Sequence, residues 1–147
     1  MNSRLYYTTI WRIALGAYLG VVATVGFWPI PVDKPISAPL LSVLEYLHRQ
    51  GAPGWIDYHF VEMSANVAMF VPFGIFSAMA LPSKRGWHLL IYAVGASTVV
   101  ELGQLLFLPE RYYSLLDLVT NTLGAVIGII VARRLFANDS SSQKVSA

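Results

Sequence analysis

Four long apolar segments constrain the fold of this chain more than any other feature of its sequence. They lie at about residues 10–28, 64–81, 87–108 and 115–136. A helix needs about 20 predominantly apolar residues to cross the hydrocarbon core of a bilayer. The segments are continuous rather than alternating, which favours helices over a closed barrel, the other structure that can span a membrane. The sequence therefore predicts an all-α membrane protein built as a four-helix transmembrane bundle.

Composition agrees with this prediction and bounds the domain organisation. Of the 147 residues, 56% are hydrophobic and 12% are charged, and the mean hydropathy is +0.57, outside the usual range of soluble globular proteins. Four spans and their loops use nearly the whole chain. We therefore expect one membrane domain over residues 1–136, with a first outer loop at about 29–63, and a disordered cytoplasmic tail at 137–147. The first span reads as an uncleaved signal anchor.

The same composition argues against several function classes. Cysteine is absent, which removes disulfides, thiolate metal sites and cysteine nucleophiles. The net charge is only +2, and the basic residues do not form the cluster typical of nucleic-acid binding. His48 and His59 lack metal-ligand spacing, and no serine has a histidine at triad spacing. We expect no metal, no cofactor and no nucleic-acid partner, and no recognisable catalytic motif marks the chain as an enzyme.

Basic residues in the short loops predict the orientation of the bundle. Cytoplasmic loops of membrane proteins carry an excess of lysine and arginine. Such residues precede the first span, join the second to the third, and follow the fourth: Arg4, Arg12, Lys84, Arg85, Arg133 and Arg134. We therefore expect both termini to be cytoplasmic, with the first loop and the turn after the third span facing outward.

The first outer loop carries an amphipathic pattern. Apolar residues between Leu40 and Leu47 recur at helical spacing against Glu45 and Arg49, before the glycines and proline of 51–54. This pattern predicts a short amphipathic helix that lies on the outer membrane interface.

Small residues mark two candidate helix contacts, Gly16 and Gly20 in the first span and Gly124 and Gly128 in the fourth. Contacts within one chain are the favoured use of these glycines. A homo-oligomer through either glycine face is the alternative.

Polar and charged side chains interrupt the apolar segments at one level of the bundle. An ionisable residue within a membrane span is a functional-site candidate by default. At a helical rise of about 1.5 Å per residue, Glu101 lies opposite Asn121, and Gln104 opposite Asp117, in the outer half of the bilayer. The candidate ligand-binding residues at this level are Glu62, Asn66, Glu101, Gln104, Arg111, Ser114, Asp117 and Asn121.

Hydrogen bonding that only fixes helix register is the simplest alternative for these residues. Interhelical polar contacts contribute about 0.6 kcal/mol on average, whereas a charge at a helix centre costs about 2.5–3.5 kcal/mol to insert. Serine or asparagine would supply the contacts at lower cost, which favours a ligand site or a catalytic site. Glu101 and Asp117 are the candidate acid and base. Ion transport is disfavoured because no relay of ionisable residues reaches the cytoplasmic side.

At these positions the sequence resembles the VanZ-like family of small bacterial membrane proteins. The resemblance rests on Glu-x-x-Gln at 101–104, Arg-x-x-Ser-x-x-Asp at 111–117 and Asn-x-x-Gly at 121–124, together with Glu62 and residues 66–74 of the second span. It implies a multi-pass protein of the bacterial cytoplasmic membrane. The family's founding member is associated with low-level resistance to the glycopeptide antibiotic teicoplanin.

The leading hypothesis is an outward-facing pocket that binds an amphiphilic envelope molecule with an anionic headgroup, such as a lipid-linked cell-wall precursor or a lipophilic glycopeptide. Arg111 would hold the anion, and the amide side chains would orient polar groups. Glu101 and Asp117 would balance the arginine. The alternatives are a membrane enzyme that acts on a lipid-linked substrate through these two carboxylates, and a structural partner of cell-wall machinery.

Overall fold

A computed structural model describes residues 3–28, 36–108 and 114–145, and in these segments the chain is helical without strands. Four helices are long and apolar enough to cross a membrane, and a shorter one lies between the first and second of them. This confirms the predicted all-α architecture with four long apolar helices. The orientation of the termini and the interfacial position of the short helix stay predictions. The helices are α1 (Ser3–Gly26), α2 (Ser37–Arg49), α3 (Tyr58–Ala80), α4 (Gly86–Phe107) and α5 (Leu115–Val145).

Local sequence explains where α3 begins and where α2 ends. α3 begins at Tyr58, earlier than its apolar segment, because Asp57 Oδ1 accepts a hydrogen bond from the Phe60 N–H at 2.8 Å. α2 ends at Arg49, before Gly51, whose φ of 93° is readily adopted only by glycine.

α5 is longer than its apolar segment. It continues to Val145 and so enters the stretch that the sequence predicts to be a disordered tail. No glycine or proline interrupts residues 129–145, so nothing in the local sequence breaks the helix there. The division of the chain into a membrane domain and a tail stays a prediction.

Glycines bring α3 and α5 into the closest contact of the bundle. A Cβ atom added at Gly124 would collide with the Val67 carbonyl oxygen, and one added at Gly128 would collide with the Val71 carbonyl oxygen. Close backbone approach through small residues is typical of membrane helices. The Gly124 and Gly128 face therefore packs within the chain, whereas Gly16 and Gly20 of α1 face open space.

The apolar core lies where α1 and α4 pack against the α3–α5 pair. Tyr18 of α1 donates its hydroxyl to the Met69 carbonyl of α3, and its ring meets Phe76 edge to face. This bond satisfies the Tyr18 hydroxyl inside an apolar contact. The buried apolar cluster consists of Val22, Phe70, Phe73, Ala93 and Ala125.

The two ends of the bundle differ in chemistry. We name the end where α1 and α4 finish and α3 and α5 begin the polar end; α2 lies on this side of the bundle, with Leu44 buried. The opposite end holds the α3–α4 turn, and we name it the basic end. There Arg12 Nε donates to the Ala80 carbonyl at 3.3 Å, and Arg133 Nη2 donates to the Lys84 carbonyl at 2.9 Å.

Candidate functional site

Several of the candidate side chains are buried near the polar end. Glu101 is 3% exposed, Gln104 is 7% exposed and Asn121 is 3% exposed. A buried polar group costs free energy unless it is hydrogen-bonded, and a buried charge costs more. The partners of these side chains therefore indicate what each of them does.

Glu101, near the end of α4, holds the beginning of α5. Its Oε2 accepts a hydrogen bond from the Ser114 backbone N–H at 3.1 Å, and Ser114 Oγ accepts one from the Asp117 N–H at 3.2 Å. Ser114 is thus the N-cap of α5. In a capping box, a side chain three residues along the same helix bonds the N-cap N–H. Here a carboxylate of another helix takes that place, and its negative charge suits a helix N-terminus.

Gln104 holds the end of α1 in a similar way. Its Nε2 donates a hydrogen bond to the Gly26 carbonyl at 2.8 Å. Gly26 is the last residue of α1, where carbonyl groups lack partners within the helix. Beside this bond the Phe27 ring lies directly on Gly103, where a Cβ atom would collide with it. One turn of α4 therefore binds the end of α1 through Gln104 and the start of α5 through Glu101.

Asn121 joins α5 to α4 one turn deeper in the bundle. Its Nδ2 donates to Ser97 Oγ at 2.9 Å, and Ser97 lies four residues before Glu101 on α4. Its Oδ1 is buried and accepts no hydrogen bond within the described part of the chain. A buried amide oxygen without a donor costs free energy, which the bond from Nδ2 to Ser97 offsets in part.

Asp117 differs from Glu101 in its surroundings. It lies in the first turn of α5 and is half-buried. Its backbone N–H is capped by Ser114, but among residues 3–28, 36–108 and 114–145 no hydrogen bond or ion pair of its carboxylate is found. Asp117 is therefore more accessible to a ligand than Glu101 is.

Two further candidate residues, both on α3, are not part of this buried layer. Glu62 is exposed, and its Oε2 lies 3.4 Å from Nδ1 of its neighbour His59 on α3, an exposed pair that contributes little free energy. Asn66 is half-buried one turn further along α3. Arg111 lies outside the described residues.

The hydrogen bonds differ from the opposing pairs that the sequence predicts. Gln104 bonds Gly26 rather than Asp117, and Asn121 bonds Ser97 rather than Glu101. Residue number gives the depth of a side chain along the helix axis. It does not give the rotation of the helix, which determines the direction that the side chain faces.

Ser97 and the Gly26 carbonyl were not among the predicted site residues. A signal for Ser97 exists in the sequence, because Ser97, Glu101 and Gln104 recur at positions i, i+4 and i+7 and so share one face of α4. No comparable signal identifies a backbone carbonyl.

Comparison with known proteins identifies a family. The sequence matches the model of the VanZ/LLP1 family over residues 15–137, which is most of the chain. No match was found among curated proteins or among solved structures. The matched residues include all four long apolar helices in whole or in part, and every candidate site residue.

Proposed function

Because the chain belongs to the VanZ-like family, we propose that it is a membrane protein of the bacterial cell envelope that binds an amphiphilic lipid with an anionic headgroup at its polar end. Its four long apolar helices support the placement in a membrane. Lysine and arginine are in excess in cytoplasmic loops. The basic residues at the basic end therefore support a cytoplasmic position for that end and an outward-facing polar end.

The hydrogen bond from Ser114 to Glu101 carries this proposal. It fixes the residue at which the connection between α4 and α5 ends, and Arg111 belongs to that connection. Placing a carboxylate in an apolar helix is costly. A buried carboxylate that holds Ser114 fixes one end of the short connection whose sequence contains Arg111. The arginine guanidinium is a planar donor that suits phosphate or carboxylate oxygens.

We assign different roles to the residues of the polar end. Glu101 and Gln104 hold the start of α5 and the end of α1, through Ser114 and Gly26. Asn121, buried one turn deeper, holds α5 to α4 through Ser97, and Asp117 would accept hydrogen bonds from hydroxyl or amide groups of the ligand. Arg111 would bind its anionic group, while Glu62 and Asn66 would contribute from α3.

The enzyme alternative has less support than binding. A general acid or base must reach a reacting atom, and Glu101 is instead buried against the start of α5. Turnover of a lipid-linked substrate by purified protein, lost in Asp117→Asn, would favour the enzyme over the binding protein.

The experiment is native mass spectrometry of purified protein mixed with a polyprenyl phosphate or with the polyprenol of the same chain length. The two lipids differ only in the anionic group. We expect wild type to retain the phosphate in preference to the alcohol, and Arg111→Ala to lose this preference. Arg49→Ala is the matched control, because Arg49 is an exposed cation on α2 that lies 4.0 Å from Glu45.

Equal retention of both lipids by wild type would contradict the proposal, and so would an unchanged preference in Arg111→Ala. Retention of a lipophilic glycopeptide, the second ligand class, is measured with the same variants. Thermal unfolding in detergent shows whether each variant keeps its fold.

A further inference from the structure

Cationic side chains from several elements converge at the basic end. Arg12 comes from α1, Lys84 and Arg85 come from the α3–α4 turn, and Arg133 and Arg134 come from the last apolar turns of α5. Arg12 is hydrogen-bonded to Ala80, the last residue of α3, and Arg133 to Lys84 in the turn that follows, so both arginines lie at this end of the bundle. These bonds, rather than the sequence alone, bring residues far apart in the chain into one cluster.

Among the side chains that the structure describes, no ion pair joins this cluster to a carboxylate. The described carboxylates lie in other regions: Glu45 on α2, Asp57 and Glu62 at the start of α3, Glu101 near the end of α4, and Asp117 in the first turn of α5. The five cationic side chains are all exposed. Like charges held close together repel one another unless a counterion of opposite sign joins them.

The position of the cluster indicates what that counterion is. It lies where apolar helices end, which is the level of lipid headgroups in a bilayer. Trp87, at the start of α4, is 55% exposed and stacks on His88 with 3.5 Å between ring centroids. Exposed tryptophan at a helix end is typical of the membrane interface. Basic sites between membrane helices bind anionic lipid headgroups.

We infer that the basic end binds the phosphate headgroup of an anionic phospholipid between the α3–α4 turn and the end of α5. Lys84, Arg85 and Arg134 supply exposed cations to the phosphate. Arg133 is oriented by its bond to the Lys84 carbonyl, which leaves its other N–H groups for the lipid. This site is separate from the polar end and does not depend on the function proposed for it.

The test uses the full chain with Arg111→Ala, so that the polar end does not contribute. Native mass spectrometry compares retention of phosphatidylglycerol with that of phosphatidylcholine carrying the same acyl chains. We expect preferential retention of phosphatidylglycerol, with affinity falling about fivefold for each cation removed in Lys84→Gln and Lys84→Gln/Arg85→Gln. Arg49→Gln is the control and should retain lipid like its parent.

Three results would overturn this inference. One is equal retention of the two lipids, and another is a loss in Arg49→Gln as large as in the double variant. The third is displacement of the lipid by inorganic phosphate at the same concentration, because a free anion would then be the occupant. If the double variant does not fold, Arg134→Gln tests the same site, and unchanged phosphatidylglycerol affinity in it contradicts the assignment.

Discussion

Glu101 is a buried carboxylate that accepts a hydrogen bond from the backbone at the start of α5. Desolvation disfavours a charge in an apolar helix, and donors from the protein must compensate for the lost water. The Ser114 N–H is one such donor, and it comes from the residue that caps α5. At this scale the polar residues of α4 hold the end of α1 and the start of α5. Neighbouring residues are then the ones proposed to contact the ligand.

The role of Glu101 predicts a difference between two substitutions. Glu101→Ala leaves the Ser114 N–H without this acceptor and should lower the free energy of unfolding by about 1–3 kcal/mol. Glu101→Gln keeps an acceptor oxygen at the same place and should lose less. Reversible unfolding in mixed detergent micelles measures both values. A glutamine variant that is as unstable as the alanine variant would contradict this role.

The sequence predicted the level of these buried polar residues more successfully than their hydrogen-bond partners. Glu101, Gln104 and Asn121 were expected at one level of the bundle, and they are indeed buried on adjacent turns of α4 and α5. Their partners differ because backbone groups, such as the Gly26 carbonyl and the Ser114 N–H, leave no sequence pattern. Ligand contacts of the polar end stay predictions.

At the scale of elements, the α3–α5 contact sets the geometry of the bundle. Continuous apolar segments predicted the four long helices because each is long enough to cross a bilayer. Apolar length does not reveal how each helix is rotated about its axis. That rotation is set by Gly124 and Gly128, because only residues without a Cβ atom can lie this close to the carbonyl groups of α3. The start of α3 depends on the Asp57 cap, which hydrophobicity does not show.

This contact predicts strong position dependence among the glycines. Gly124→Leu should destabilise the protein by more than about 2 kcal/mol, because its side chain would overlap the α3 backbone at Val67. Gly20→Leu is the matched control, since nothing lies within 4 Å of a Cβ atom placed there. Thermal unfolding of both variants in one detergent measures the difference. Equal melting temperatures would mean that α3 and α5 do not pack through this face.

At the scale of the whole molecule, the chain has a polar end and a basic end on opposite sides of four apolar helices. The overall architecture could be predicted because bilayer thickness and backbone hydrogen bonding leave few alternatives. The positions of Arg12 beside the end of α3 and of Arg133 beside the following turn could not be predicted, because they depend on how helices distant in sequence pack together.

The predicted orientation is testable with single cysteines, because the natural chain contains none. Ser83 is exposed in the α3–α4 turn, and Gln50 is exposed after α2. In intact cells a membrane-impermeant maleimide should label Gln50→Cys, whereas Ser83→Cys should react only after the membrane is opened. Labelling of both positions from the same side would contradict the assignment of the two ends to opposite faces.

The central claim is that the polar end binds an anionic amphiphile through the connection that Glu101 holds. Its most direct test is the ratio of polyprenyl phosphate to polyprenol retained by wild type, Arg111→Ala and Arg49→Ala in native mass spectrometry. We expect a ratio well above one for wild type and Arg49→Ala, and a ratio near one for Arg111→Ala. A ratio that is the same in all three proteins would contradict it.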